Sequence, residues 1–448
     1  MRTRLKLPLA LMLPLAATCA QSPPALKLSL QQAVELALAP SGNTRVQLAR
    51  EMIEQAQSRA NQARAALLPN IDGYTSYQDQ TRNLAAFGIR LDIPVPGFRM
   101  PELVGPFSVF DARLTGSQTV FDFSAIRRYQ AGRTGVEAAK LEDQSAQDQV
   151  TDQVARSYVT AQRAQAVVDA ARADVELGTR LLNLARSQKA AGTGTGIEVT
   201  RAEVQLANQR QRLLVAENAL SRAQLQLLRT MGVELDARIE LSDELRFVPA
   251  LVTTVSEALK TALSTRADLA AQQKREKIAE FEYSAAKFER LPSLAAFGDY
   301  GSIGSSVTHA LPARTYGVSL RVPIFDGGRR DARRAASGSL YRQEQIRTED
   351  LRQQAELDVR TALDSLQSAE AQIKAASEGL DLAREEVASS ERRYQAGVTT
   401  SIEVTDAQTR LERARQNHID ALFNYSVAKI DLNTAMGTIG ALVSGSRP

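Results

Sequence analysis

The sequence contains an internal repeat, and this feature constrains the possible folds more than any other. The stretch AGTGTGIEVTRAE at 191–203 is followed by a similar one, AGVTTSIEVTDAQ, at 396–408. The two align at an offset of 205 positions (396 − 191), which holds without a gap to two Met-Gly dipeptides at 231–232 and 436–437. A duplication of this length predicts two copies of one structural unit in an elongated body.

The beginnings of the two copies also correspond. LSLQQAVE in the first copy matches TTVSEALK in the second, and each is expected to open a helix. Ser29 and Gln32 have the spacing of a capping box, in which each side chain satisfies the other residue's backbone N–H. We therefore expect a first repeat at 21–232 and a second at 233–448, each with a helix, a strand hairpin and a helical hairpin. The second repeat ends in a short tail.

Two windows, at about 70–122 and 293–325, differ in composition from the rest of the chain. Each follows a Leu-Pro pair, where the residue before proline is disfavoured in a helix. Inside them the apolar period is two, which is typical of β-hairpins long enough to cross an outer membrane, although ordinary soluble sheets alternate in the same way. Four prolines at 94–106 are expected to prevent regular structure in the first loop. The residues expected to face outward are Phe110, Leu114, Tyr316, Val318 and Leu320, with Ser319 inward.

Outside these windows the apolar period is helical. Small and aliphatic residues recur at steps of three and four from Val150 to Ala185 and from Val359 to Val387, which is typical of a coiled-coil seam. A helix from about 124 to 189 would be roughly 100 Å long at ~1.5 Å per residue. The helical hairpins turn at tips at about 191–200 and 396–405. The expected fold class is mainly α with membrane β, combining long antiparallel coiled-coil helices with four β-strands.

The amino terminus has the pattern of a secretory signal peptide at 1–20. Basic residues precede an apolar run and then small residues, and the run is too short to span a bilayer as a helix. Cys19 is the only cysteine, so no disulfide can form within the chain. Two alternatives remain for it: lipidation, although Ala16 stands where Leu is usual, or removal by cleavage after Ala20.

Composition and chemistry indicate neither nucleic-acid binding nor catalysis. The net charge is +4 in 448 residues, and basic and acidic residues alternate along the helices instead of forming one basic surface. His309, His418 and one cysteine do not make a usual zinc site, and no Ser/His/Asp set is credible. The glycines at 192–196 follow a helix and lack the Lys-Ser/Thr of a phosphate loop. We expect no enzyme activity, no cofactor and no metal.

Four strands cannot close a barrel, and lipid does not tolerate open sheet edges, so the chain is expected to share a barrel with copies of itself. Eight strands from a dimer or twelve from a trimer would both suffice. The ordered set of Leu-Pro entries, Phe-Asp exits, Ala-Gly-x-x-x-x-Ile-Glu-Val turns and Met-Gly endings resembles the TolC family of outer-membrane efflux proteins. The resemblance covers essentially the whole mature chain. It implies a homotrimer with a twelve-stranded barrel in the outer membrane and an α-helical tunnel across the periplasm.

The resemblance also implies partners and site residues. The partners would be a periplasmic adaptor and an inner-membrane pump of the resistance-nodulation, ABC or major-facilitator type. Glu403 and Asp406 match acidic rings at the pore constriction, and Glu198 and Tyr394 match a clasp that holds the gate closed. The best-studied members have an arginine near the second tip, where this sequence has Thr399.

The tips themselves are expected to receive the adaptor. Gly192 and Gly397 can adopt the positive φ that ends a helix, and their lack of a side chain leaves a low surface for docking. Two other function classes stay open. A periplasmic adaptor would carry one helical hairpin flanked by lipoyl-like β segments, and an exported enzyme would need a reactive constellation.

Overall fold

The computed structural model describes residues 26–88, 102–249 and 254–444. The predicted signal peptide with Cys19, and residues 89–101 of the proline-rich loop, lie outside these ranges. The helices are α1 (Leu30–Leu38), α2 (Thr44–Ala65), α3 (Phe123–Ala190), α4 (Gly196–Met231), α5 (Val255–Thr265), α6 (Ala267–Phe288), α7 (Arg329–Gln395), α8 (Ser401–Ala435) and α9 (Ile439–Ser444). The strands are β1 (Leu26–Leu28), β2 (Asn70–Asn83), β3 (Leu103–Phe121), β4 (Ile239–Leu241), β5 (Ser293–Gly304) and β6 (Leu311–Arg321).

Two very long helices dominate the chain. Helix α3 has 68 residues and α7 has 67, so each is about 100 Å long at ~1.5 Å per residue. An aspartate lies at the start of each helix: Asp122 is the N-cap of α3, and Asp326 precedes the N-cap of α7, Gly328, by two residues. Asp122 accepts hydrogen bonds from the backbone of Ser124 at 2.8 Å, and Asp326 accepts one from Arg330 at 3.2 Å. These bonds satisfy amide groups that have no partner inside a helix, and so they stabilise the first turn of each helix.

After each long helix the chain reverses direction and forms a shorter antiparallel helix. Helix α4 packs against α3, and α8 packs against α7. Many of the predicted seam residues are buried, including Val150, Val154 and Leu182 of α3 and Val359 and Ile373 of α7. The capping box of Ser29 and Gln32 is present, with both hydrogen bonds formed at 3.0 and 3.3 Å. The mainly helical fold is therefore confirmed.

Strands β2, β3, β5 and β6 form one antiparallel sheet in that order. Directly opposed residues share a face, and Leu114 opposes Tyr300, which opposes Arg314. By this register the five residues expected to face outward all lie on one face. The other face carries an ion cluster in which Arg113 contacts Asp111 and lies 3.5 Å from Asp299. The sheet thus has an apolar, aromatic face and a polar face.

Two features of the sheets differ from the sequence predictions. Pro106, expected in an irregular loop, lies inside β3, next to a break in register opposite Gln80 and Arg82. A proline is tolerated there because a bulge does not require its missing N–H. The parallel pairing of β1 with β4 was not predicted, since each strand has only three residues and shows no periodicity. It joins the start of the first copy to the segment that follows α4.

Within the described ranges, none of the helices is both long enough and apolar enough to cross a membrane. The long helices are instead stabilised by burying small and aliphatic side chains against one another. One apolar cluster joins α1, α3 and α4 around Leu28, Tyr158 and Leu227. A second joins α5, α7 and α8 around Val359 and Tyr425.

Candidate functional site at the helical tips

The turn between α3 and α4 and the turn between α7 and α8 have the same backbone structure. Gly192 has φ +74° and Gly397 has φ +70°, a conformation that strains any residue with a Cβ. The backbone N–H groups of Thr193 and Val398 donate to the carbonyl oxygens five residues earlier, at 3.0 and 2.9 Å. This is the Schellman arrangement that ends a helix at glycine. Both glycines are open to solvent, since a Cβ added to either would meet no atom within 4 Å.

Different hydrogen bonds hold the glutamates that follow the two glycines. Glu198 Oε2 accepts a hydrogen bond from the backbone N–H of Thr195 at 2.9 Å, which closes a capping box at the start of α4. Glu403 instead pairs with Arg393 of α7, whose Nη1 lies 2.7 Å from Oε1, and accepts a short hydrogen bond from Thr399. The charge of Glu403, one of the two predicted constriction residues, is therefore compensated within the protomer.

Asp406, the other predicted constriction residue, lies on the same face of α8 three residues later and is exposed. It forms no hydrogen bond or ion pair with any residue that the structure describes. One turn further along α8, Arg410 makes a bidentate pair with Glu386 at 2.6 and 2.9 Å. Together with Glu386, the negative charge of Asp406 raises the pKa of that guanidinium. Of the two carboxylates, Asp406 is the one without an ion-pair partner among the described residues.

The predicted clasp residues, Glu198 and Tyr394, line one small cavity between the two helical hairpins. Tyr394 is buried, with 5% of its surface exposed. Burial raises the pKa of its phenol above the ordinary value, and the negative charge of Glu198 raises it further. The structure thus brings the two side chains together. The Tyr394 hydroxyl nevertheless makes no hydrogen bond to Glu198 or to any other described residue.

Hydrogen bonds across the two hairpins join the tips. Gln188 of α3 donates to the carbonyl oxygen of Tyr394 at 3.2 Å. Arg201 of α4 donates to the hydroxyl of Ser401 at 2.9 Å. These contacts couple the position of the second tip to that of the first.

The same interface also has polar contacts farther from the tips. Gln209 of α4 is buried and donates to Glu412 of α8 at 3.2 Å, and Arg415 of α8 pairs with Asp174 of α3. Burial raises the pKa of Asp174 to about 6, although the positive charge of Arg415 opposes the shift. The α3/α4 and α7/α8 hairpins thus meet through amides and ion pairs as well as through apolar contacts, such as that of Leu177 with Leu380 and Leu411.

Comparison with known proteins decides the family. The model of the family described as outer membrane efflux protein matches residues 36–233 and 258–438. The chain belongs to this family. The two matched segments lie almost entirely within the two repeats predicted from the sequence, and the resemblance noted from the sequence is confirmed. The family's description indicates transport out of the cell through the outer membrane.

Sequence comparison shows that this outer membrane efflux protein has several relatives, including one from Pseudomonas putida and one from Vibrio cholerae. It is 24% identical over 416 residues to the pyoverdine export outer membrane protein OpmQ of Pseudomonas putida, covering 91% of this chain and 85% of the relative. It is 25% identical over 234 residues to the outer membrane protein TolC of Vibrio cholerae, covering 50% of this chain and 53% of the relative. The chain thus matches only about half the length of the latter.

A solved structure has the same fold. The outer membrane protein VceC of Vibrio cholerae superimposes with a TM-score of 0.75 at 20% sequence identity, covering 91% of this chain and 96% of that one. At this identity the likeness concerns the fold alone.

Sequence reasoning missed several residues that hold the tips of this outer membrane efflux protein. Arg393, Arg201 and Gln188 were not singled out, because charged and amide residues are abundant on every helix here. The repeat offset of 205 could have pointed to Arg201 and Gln188. The cross-hairpin bonds of Arg201 and Gln188 join residues 200 and 206 positions apart, close to the repeat offset of 205, because equivalent heights of the two copies lie side by side.

Proposed function

We propose that the chain is the outer-membrane exit duct of a tripartite efflux or type I secretion system. Three copies form a twelve-stranded barrel in the outer membrane and continue as an α-helical tunnel through the periplasm. The duct conducts substrates passively. Energy comes from an inner-membrane pump of the resistance-nodulation, ABC or major-facilitator type, reached through a periplasmic adaptor.

The observation that carries the proposal is the open four-stranded sheet. Strands β2 and β6 each have one edge without a partner strand in the described part of the chain. An unpaired backbone group in lipid costs several kcal/mol, so an isolated sheet of this kind is not viable in a membrane. Pairing β6 of one copy with β2 of the next removes both edges. Three copies supply twelve strands, a number within the range of membrane barrels.

The two faces of the sheet suit a barrel wall. The apolar face carries Tyr316, Val318 and Leu320, which are 82%, 66% and 65% exposed in the protomer and would contact lipid. The ion cluster around Arg113 would face the aqueous lumen. Arg314 also lies on the apolar face, near the end of β6 that leads into the β5–β6 loop. An arginine at this height can extend its head group toward the lipid phosphates.

The tips suit a docking role at the opposite end. Gly192 and Gly397 are exposed and present backbone without side chains, so a helical hairpin of an adaptor could approach closely. Three protomers would present six such tips. No second function is favoured by the described residues, because the tandem of strand and helical hairpins has no counterpart in an adaptor.

Two measurements test the assembly. Native mass spectrometry of the detergent-extracted protein should give a trimer, and a monomer or dimer as the only species would contradict the proposal. Cysteine pairs with one member on β2 and the other on β6 should cross-link protomers into a covalent trimer. Matched pairs that combine β6 with the interior strand β3, such as Thr315→Cys with Ser117→Cys, should not.

A third measurement tests the faces of the sheet. Val318→Arg places a charge on the apolar face and should cost about 2–4 kcal/mol, as measured by folding into lipid vesicles. Ser319→Arg changes the adjacent residue on the polar face and should have a mild effect. Equal losses in the two variants would refute the assignment of faces.

A further inference from the structure

A small cavity lies between the two helical hairpins, beside the second tip. Its volume is about 20 Å³. The residues around it come from all four helices, and those that bear on the argument are Glu198, Arg201, Ala202, Tyr394, Ser401 and Gln408. A site that admits about one water-sized sphere can hold one ordered water when two to four polar groups face it.

Two buried polar groups at this cavity lack a partner. Tyr394 and Gln408 are 5% and 2% exposed. The hydroxyl of Tyr394 and the amide nitrogen Nε2 of Gln408 form no hydrogen bond with any residue that the structure describes. Leaving a buried donor unsatisfied costs about 1–3 kcal/mol, so two at one cavity require an explanation.

An acceptor stands at the same cavity. Glu198 uses Oε2 to accept hydrogen bonds from Thr195, whereas its Oε1 has no hydrogen bond to another described residue. The cavity therefore presents two unpaired donors and one unpaired carboxylate oxygen, whereas Arg201, which also lines it, already donates to Ser401. A direct hydrogen bond from Tyr394 to Glu198 would leave the amide of Gln408 without a partner. An apolar group in the cavity would leave the Tyr394 hydroxyl, Gln408 Nε2 and Glu198 Oε1 all without a partner.

We propose that one ordered water molecule binds in this cavity and bridges Tyr394, Gln408 and Glu198. The water accepts hydrogen bonds from the Tyr394 hydroxyl and from Gln408 Nε2, and it donates one to Glu198 Oε1. The contact between the hairpins is thus a hydrated one, and Gln408 is a positioning residue within it. The water site lies within one protomer and does not depend on the proposed duct function. Only its role in holding the gate closed rests on that function.

The repeat supports a specific role for Gln408. Its counterpart in the first copy, at the offset of 205, is Glu203, which pairs with Arg186 at 2.8 Å on the hairpin's own surface. Residue 408 is instead a neutral amide that points inward. A carboxylate there would face the negative charge of Glu198 across the cavity, whereas an amide supplies the second donor that a bridging water needs.

The direct test is a structure of the full-length trimer, by cryo-electron microscopy or crystallography, at a resolution that shows ordered waters. We expect a density peak at about 2.7–3.2 Å from both Tyr394 Oη and Gln408 Nε2. Absence of such a peak, or a direct hydrogen bond from Tyr394 to a protein atom, would overturn the proposal.

A double-mutant cycle tests the coupling through the water without reference to transport. Tyr394→Phe and Gln408→Met should each lower the thermal unfolding midpoint in detergent. The double variant should lose clearly less than the sum of the two, because a water shared by both side chains leaves once. Additive losses would overturn the proposal.

The matched control is Gln162→Met combined with Tyr394→Phe. Gln162 is also buried, but its amide donates directly to the carbonyl oxygen of Asp243 at 2.8 Å, far from the cavity. This pair should be additive within the error of the measurement. Equal non-additivity in the control pair would show that the coupling does not come from a shared water, and so would also count against the proposal.

Discussion

The first and second helical tips have the same backbone and different side-chain contacts. At both, a glycine with positive φ ends the long helix, and a threonine three residues later precedes the returning helix. At the first tip, Glu198 bonds only to Thr195, the residue that caps the start of its own helix. At the second, the equivalent Glu403 pairs with Arg393 on the opposite helix of the hairpin.

The difference continues at the neighbouring positions. The first tip has Gln188, Lys189, Arg201 and Glu203 where the second has Arg393, Tyr394, Asp406 and Gln408. In the first tip a positive and a negative residue thus follow the glutamate on α4. In the second, an exposed aspartate and a buried amide stand there.

This comparison separates what a tip needs in order to fold from what it needs in order to act. A helical turn requires a residue that tolerates positive φ and a cap for the next helix, and both copies keep these. The remaining positions are free to differ. In the second tip they bury a tyrosine and expose an acidic charge, which makes it the better candidate for the gate.

The largest effect is expected from removing what the tips share. Gly192→Val with Gly397→Val puts a β-branched residue at a positive φ twice, at a cost of about 1–3 kcal/mol for each strained residue. It also covers the low surface proposed for the adaptor. We expect trimers in the outer membrane with export abolished, measured by substrate efflux from cells.

The control for this variant is Gly379→Val. Gly379 lies on an exposed face of α7 at an ordinary helical φ, and a Cβ there would meet no atom within 4 Å. Export should remain normal. Full export from the double tip variant would show that the shared glycines are dispensable for docking.

The next effect tests what is particular to the second tip. Tyr394→Phe with Glu198→Gln removes the hydroxyl and the charge at the cavity between the hairpins. We expect a higher resting conductance of single channels in planar bilayers, because the two hairpins lose a polar contact. Glu203→Gln, which alters a first-tip ion pair away from the cavity, should leave the conductance unchanged; a resting conductance equal to the parent's in the double variant would speak against a clasp here.

A third prediction concerns the charges of the second tip. Glu403→Ala with Asp406→Ala would remove six carboxylates from a trimer, and we expect lower cation selectivity and weaker block by divalent cations. Arg393→Ala should act in the opposite direction, because it frees the charge of Glu403. Unchanged selectivity and block in the first variant would show that these carboxylates do not face the pore.

The sequence predicted the features of the molecule that depend on local periodicity. The seam of α3 and α7, the capping box at Ser29 and the alternating strands all follow from patterns within a few residues. The ion pair of Arg393 and the burial of Gln408 could not be predicted in this way. They depend on which of several polar residues on a helix points at its neighbour, and this is set by helix packing instead of by sequence spacing.

The smallest expected effect is a difference in the free energy of unfolding between variants of the two equivalent glutamates, Glu198 and Glu403. Both substitutions, Glu198→Gln and Glu403→Gln, are compared in the Tyr394→Phe, Gln408→Met background, which has lost the proposed water. There Glu198→Gln keeps a side-chain oxygen that can cap α4, because glutamine serves in a capping box as well as glutamate does, so the free energy of unfolding should barely change. Glu403→Gln breaks the ion pair with Arg393. The side chain of Glu403 is 35% exposed and that of Arg393 is 54% exposed, and an ion pair at such an exposed position contributes about 0.2–1 kcal/mol to stability. Measured by denaturant unfolding at low salt, the second variant should be the less stable of the two. About 1 M salt shortens the screening length to about 3 Å and should remove most of the difference. An equal loss at the two positions, or a difference that persists in high salt, would mean that the tips do not differ in the way that Arg393 suggests.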